Sequence, residues 1–167
     1  MSIKKYLKQF SKEQLIEQII ELHKKYKDVK TYYEYTLNPN SNTQTDKVKK
    51  TIHKLFNPSS DQGPKLREAR KEVNEFRKLS PPAENLADIM LHYVECGVQY
   101  TNNYGDINES FYTSVASMFY DACEFIKTNG LQEQFKARCR KIMDDTDGIG
   151  WGFHDELSEC YYVFFEN

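Results

Sequence analysis

The segment SKEQLIEQIIELHKKYKDVKTYY, from Ser11 to Tyr33, decides the fold class. Its large apolar residues recur in steps of four and three, which is the spacing of one helix face. These residues are Leu15, Ile19, Leu22, Tyr26, Val29 and Tyr33. Ser11 and Gln14 have the pattern of a capping box, in which the serine oxygen accepts a free N–H and the glutamine reaches back. The segment predicts one amphipathic helix of about 24 residues.

The same spacing continues on both sides of this segment. Further helices are predicted at Ile3–Phe10, Val48–Phe56, Leu66–Phe76, Leu86–Tyr100, Ile107–Phe125, Leu131–Ile142 and Phe153–Phe164, with Asp106 as the N-cap of the fifth of these. No segment alternates over strand length, although Tyr161–Phe165 taken alone has the composition of a strand. The sequence therefore predicts an all-α fold of seven to eight helices, either an irregular bundle or a short α–α superhelix.

Length and composition narrow the class of protein. The chain has 167 residues, which fits one domain over 1–167. Seven glycines and five prolines are few for the tight turns of a sandwich or barrel. No run of about 18 apolar residues predicts a membrane span, and the opening MSIKKYLKQF lacks the apolar stretch of a secretory signal. We therefore expect a cytoplasmic protein.

The charge is divided between the two halves of the chain. The net charge is −2, but residues 1–79 hold 18 Lys and Arg against 10 Asp and Glu, while residues 80–167 hold 5 against 15. Such an asymmetry indicates either a polyanionic partner for the basic half or two halves that pack with complementary charge.

A basic strip over residues 47–78 is the candidate for a polyanion contact. The residues expected to contact phosphate are Lys50, Lys54, Arg67, Arg70, Lys71 and Lys78. Glu68, Glu72 and Glu75 are interspersed among them, which is also typical of a solvated helix face. No helix-turn-helix or aromatic RNA-binding motif accompanies the strip.

Candidate chemistry is sparse. Asp88, His92 and Glu95 share one helix face, but a di-iron bundle uses Glu-x-x-His motifs from two helices. His154 could add a ligand only if the fold brought it near His92. An EF-hand reading of the loop that begins at Met143 fails at its first and last ligand positions. We assign no catalytic, cofactor or metal residue.

The four cysteines form no CxxC and are expected to be reduced and structural, with Cys96 and Cys123 in the core.

Aromatic residues are the most unusual feature, with twelve Tyr, ten Phe and one Trp. Tyr32, Tyr33 and Tyr35 point to different sides of one helix, as do Tyr161 and Tyr162, so they cannot all enter one core. Because tyrosine is enriched at protein interfaces, these five residues are the predicted interaction surface. Trp151, among glycines, is expected to plug the edge of the core.

Three stretches resemble a family of uncharacterised bacterial helical proteins, catalogued as a domain of unknown function. They are DGIGWGFHDEL (Asp147–Leu157), ADIMLHYVE (Ala87–Glu95) and SKEQLIEQIIELHKKYKDVKTYYEYTLNPN (Ser11–Asn40). The resemblance implies a helical intracellular protein and brings no activity, cofactor or site.

The leading functional prediction is a cytoplasmic protein-interaction module with a protein partner or self-association. The alternatives are a nucleic-acid-associated protein that uses residues 47–78, and a metal-dependent enzyme around His92.

Overall fold

The structure is a computed structural model that describes residues 2–38, 42–59 and 62–166. Over these residues it contains nine helices and no strand, which confirms the all-α prediction. The helices are α1 Ile3–Leu7, α2 Lys12–Lys25, α3 Lys27–Leu37, α4 Asn42–Phe56, α5 Leu66–Lys78, α6 Ala83–Tyr104, α7 Glu109–Thr128, α8 Gln132–Asp144 and α9 Phe153–Phe165. The sequence also predicts loops at 38–42 and 57–64, from their Asn, Pro, Ser and Gly residues, and these two stretches lie partly outside the described residues.

The chain divides into two compact units, residues 1–41 and residues 42–167. We call them the N-terminal unit and the C-terminal unit. The N-terminal unit contains α1, α2 and α3. The predicted capping box is present at the start of α2, because Gln14 N donates to Ser11 Oγ at 3.2 Å and Ser11 N donates to Gln14 Oε1 at 2.8 Å.

The prediction of one long helix from Leu15 to Tyr33 is wrong. The helix is interrupted at Tyr26, which has extended backbone angles of φ −118° and ψ 122°. Basic residues occupy the last turn of α2, and Asp28 lies in the first turn of α3. Cations are favourable at a helix C-terminus and anions at an N-terminus, so these charges suit two helix ends better than one continuous helix.

In the C-terminal unit α6 is central. It packs against α4, α5, α7 and α8, and α7 and α8 also pack against α9. Gly97 permits the close approach of α6 to α7, since a Cβ placed there would lie 2.6 Å from Val115 Cγ2. Large side chains fill the space between these helices, among them Phe56, Tyr93, Phe119 and Phe153, all fully buried.

One local prediction in the C-terminal unit is corrected. Asn108, not Asp106, caps α7: its Oδ1 accepts from Phe111 N at 3.0 Å. Asp106 Oδ1 instead accepts from the Tyr112 hydroxyl at 3.3 Å. The helix predicted at Phe153–Phe164 is present as α9, so residues 161–165 are helical despite their strand-like composition.

Trp151 does not plug the core. Its side chain is 61% exposed, and its ring stacks beside Tyr112 with the centroids 6.4 Å apart. Its φ of +65° lies in the left-handed region and belongs to the turn that precedes α9. The glycine-rich segment therefore reverses the chain without adding an aromatic residue to the core.

All four cysteines are buried and free. Hydrogen bonds from Cys139 and Cys160, together with burial, raise the pKa of the Cys123 thiol far above its usual range. The expected placement of Cys96 and Cys123 in the core is confirmed. Within the described part of the chain, no helix combines the length and the apolar character needed to cross a bilayer.

Candidate interaction surface

The three tyrosines of α3 lie in three different environments. Tyr35 is buried with 4% exposure, Tyr33 is intermediate, and Tyr32 is 40% exposed. The rings of Tyr32 and Tyr33 meet edge to face with centroids 5.3 Å apart. Of the three, Tyr32 is therefore the residue that presents an aromatic surface to solvent.

The two tyrosines of α9 also differ. Tyr161 is buried: its ring stacks on Phe165, and its hydroxyl donates to Glu166 Oε1 at 3.2 Å. Tyr162 is 48% exposed. Tyr161 lies four residues after Leu157 and four before Phe165, so it shares their inward face and cannot contribute to a surface.

A wider apolar surface lies on α2. We call it the α2 apolar face and define it by three side chains that are 40–47% exposed: Ile16, Ile19 and Ile20. Leu22 and Tyr26 are also exposed, at 45% and 48%, but Leu22 points to another side of the helix and Tyr26 follows its end. Sequence reasoning placed Ile19, Leu22 and Tyr26 on one helix face and overlooked Ile16 and Ile20. The signal was present in the adjacent pairs Leu15-Ile16 and Ile19-Ile20, because neighbouring residues point about 100° apart and widen the stripe beyond one seam.

The opposite edge of α2 faces α3. The His23 and Tyr33 rings meet edge to face with centroids 6.2 Å apart, and Leu15, Gln18 and His23 are less exposed than the α2 apolar face. The α2–α3 contact therefore covers the side of the helix that holds Leu15 and Gln18. His23 lies beside the α2 apolar face, and Ile16 and Ile20 stay exposed.

The His92 cluster in the C-terminal unit joins α6 to α4. His92 Nε2 lies 3.2 Å from the carbonyl oxygen of Lys49 and 3.5 Å from Cys96 Sγ. His92 Nδ1 lies 3.7 Å from Glu95 Oε2. A thiol, an imidazole and a carboxylate in this order resemble the parts of a cysteine-nucleophile site.

The carboxylates near His92 form ion pairs with basic residues of α8 and α4. Arg138 makes two hydrogen bonds to Glu95, from Nε to Oε1 at 2.6 Å and from Nη2 to Oε2 at 2.8 Å. Arg138 Nη1 also donates to Asp88 Oδ1 at 2.6 Å, and Lys49 Nζ pairs with Asp88 Oδ2. Burial raises the pKa of Glu95, but hydrogen bonds from Arg138 and His92 and their charges outweigh it and lower this pKa to about 2.

This arrangement does not prepare Cys96 for nucleophilic attack. Cys96 is 2% exposed, and burial with the nearby Glu95 charge raises its thiol pKa to about 12. A nucleophilic cysteine needs a lowered pKa and access to substrate. His154 bonds elsewhere, to Thr146 Oγ1 at 2.9 Å and Ser158 Oγ at 3.3 Å. Over the described residues, no group of three or more His, Cys, Asp or Glu is placed to hold a metal ion.

An open cavity of about 450 Å³ lies beside this cluster, between α6 and α8. Its lining includes Glu95, Arg138, Lys141 and Asp145, with Val98 and Ile142 as apolar wall. Arg138 is paired with Glu95, and Lys141 Nζ lies 2.6 Å from Asp145 Oδ2. The lining charges thus neutralise one another, and they favour neither an anionic nor a cationic ligand.

The structure distributes the basic strip over α4 and α5. Five of its predicted contact residues are exposed: Lys50, Lys54, Arg67, Lys71 and Lys78. Arg70 is turned inward, where it pairs with Asp121 at 2.7 Å and donates to Ser117 Oγ at 2.8 Å. Together with the Lys49–Asp88 pair, this contact shows that part of the charge asymmetry serves packing between the basic and the acidic half of the sequence.

Comparison with known protein families shows which family the chain belongs to. A family model described as "Family of unknown function (DUF6155)" matches residues 1–165. The chain belongs to this family. No curated protein and no solved structure matches the chain. Membership in DUF6155 confirms the resemblance to a family of unknown function and supplies no activity, so function is argued from the surface of the molecule.

Proposed function

We propose that this member of DUF6155 is a cytoplasmic protein-interaction module that binds through the α2 apolar face and Tyr32. The observation that carries the proposal is the exposure of Ile16, Ile19 and Ile20 within five residues of one helix, each 40–47% accessible. Isolated apolar residues are common on protein surfaces, but a contiguous cluster of large ones is typical of a binding site.

The composition of this surface suits a protein partner. Aliphatic and aromatic side chains contribute most of the binding energy at the centre of an interface, where they are removed from water. Tyr26 and Tyr32 add aromatic area with hydroxyl groups, so they are compatible with both bound and solvated states. Four free buried cysteines support a reducing compartment such as the cytoplasm.

The polar clusters of the C-terminal unit give less support to a catalytic function. Arg138, Glu95 and Asp88 bind one another, and Cys96 is buried with a raised pKa. These groups stabilise the packing of α4, α6 and α8. The basic strip remains a predicted polyanion contact, with Arg70 already engaged by Asp121.

Photo-crosslinking in the native cell tests the proposal. A photoreactive phenylalanine analogue is placed at Ile20 or Tyr32, and as a matched control at Tyr104, which is 67% exposed in the C-terminal unit. The proposal expects covalent adducts with a second polypeptide from Ile20 and Tyr32 and none from Tyr104. Adducts from Tyr104 alone, or from no position, would contradict it.

A further inference from the structure

We infer that the α2 apolar face binds a second copy of this chain, with the two α2 helices antiparallel. This inference rests on the proposed function and names its partner. Two features of the N-terminal unit favour a second copy: its small core, and the opposite charges at the two ends of the α2 apolar face.

The N-terminal unit has little core of its own. Among described residues 2–38, only Tyr35 is buried. Units of about 40 residues usually need disulfides, metals or association to remain folded. Helix hairpins that associate bury their apolar faces in a bundle, which supplies the missing core.

The charges along α2 favour the antiparallel orientation. On the side of α2 next to Ile20, Glu13 lies in the first turn and Lys24 in the last, whereas Glu21 and Lys25 lie farther round the helix. Two parallel copies would place glutamates beside glutamates and lysines beside lysines. In two antiparallel copies, the acidic end of each helix lies beside the basic end of the other.

Glu13 and Lys24 are the residues expected to form ion pairs between the two copies. They are eleven residues apart, close to three full turns, so both project from the same side of α2, next to Ile20. In an antiparallel pair related by a twofold axis, equivalent flanks of the two helices meet. With the axis near the middle of α2, Glu13 of each copy lies beside Lys24 of the other, and Ile16, Ile19 and Ile20 lie between them.

Charge exchange tests both the partner and the orientation. Sedimentation equilibrium on the purified full chain measures the dimer dissociation constant for the wild type, Glu13→Lys, Lys24→Glu and the double variant. Each single variant places two like-charge contacts in the dimer and is expected to weaken it about fivefold or more. The double variant restores opposite charges and is expected to return to the wild-type constant.

Matched controls separate this effect from changes in helix stability. Glu21→Lys and Lys25→Glu make the same charge changes on the side of α2 away from Ile20, and they are expected to leave the dissociation constant unchanged. Circular dichroism of each variant reports helix content. A chain that is monomeric at every concentration, or a double variant as weak as the two singles combined, would overturn the inference. A monomeric chain that still forms adducts with another protein at Ile20 would overturn the second copy and leave the proposed function standing.

Discussion

Arg138 donates two hydrogen bonds to Glu95, from Nε to Oε1 at 2.6 Å and from Nη2 to Oε2 at 2.8 Å. Their residues lie on α8 and α6, 43 positions apart in sequence. A guanidinium fork matches the two oxygens of a carboxylate, so the pair fixes the relative position of the two helices. The pair therefore links α6 to α8, and its contribution to stability can be measured.

Loss of the guanidinium should destabilise the C-terminal unit. Arg138→Met removes both guanidinium hydrogen bonds of Glu95 and leaves Asp88 paired with Lys49, and it is expected to lower the free energy of unfolding by about 2 kcal/mol. The value is below that of a fully buried pair, because the Glu95 side chain is 37% exposed. Lys141→Met on the same helix breaks an exposed pair and should cost less than about 1 kcal/mol. Equal losses in chemical denaturation would contradict this role for Arg138.

The same pair predicts a pH dependence. The pKa of Glu95 is lowered from 4.5 to about 2 in the folded chain, so the folded state binds this proton more weakly than the unfolded state does. The contribution of Glu95 is complete above pH 4.5 and is lost as the pH falls toward 2. Denaturation as a function of pH should show a shallower acid dependence in Glu95→Gln than in the wild type. Parallel curves would show that Glu95 does not titrate in this way.

Gly97 should be intolerant of a side chain. A Cβ there would lie 2.6 Å and 2.9 Å from the two methyl carbons of Val115. Alanine favours helix over glycine by about 1 kcal/mol, yet Gly97→Ala is expected to destabilise by about 2 kcal/mol because α6 and α7 must move apart. Val115→Ala in the Gly97→Ala background should recover part of this loss. Thermal melts that show a stabilised Gly97→Ala variant would contradict the close approach of α6 to α7.

Trp151 should report an exposed environment. Its ring is 61% accessible, so its fluorescence emission is expected near that of tryptophan in water. Trp151→Gly removes a left-handed residue with a side chain at φ +65° and should leave stability unchanged or slightly increased. Blue-shifted emission together with a loss of more than about 2 kcal/mol would place the ring in the core after all.

Sequence reasoning identified the helices because apolar spacing is a local signal. The capping box of Ser11 and Gln14 and the α9 face through Leu157 were readable for the same reason. The break at Tyr26 was missed, since the apolar row runs through it without interruption. The environment of Trp151 was predicted wrongly because the neighbouring glycines indicate a turn but do not determine whether the Trp151 ring points toward the core or toward solvent.

The surface was only partly predictable. Tyr32 was among the predicted tyrosines and is exposed, whereas Tyr35 and Tyr161 are buried. Which of several aromatic residues faces outward depends on the rotation of each helix against its neighbours, and one sequence does not define that rotation. Ile16 and Ile20 were overlooked because the apolar spacing was followed along a single row of residues, and these two isoleucines lie beside that row. The bidentate contact of Arg138 with Glu95 depends on packing across 43 positions.

The molar mass of the purified full chain as a function of concentration tests the central claim most directly. The molar mass of the wild type, measured by light scattering, should rise with concentration from the 19.7 kDa of one chain to twice that value. Ile16→Lys/Ile20→Lys places charges in the α2 apolar face and should remain at 19.7 kDa, while the control Tyr104→Lys in the C-terminal unit should associate like the wild type. A wild type that stays at the mass of one chain, or a doubly substituted variant that still doubles its mass, would contradict the account.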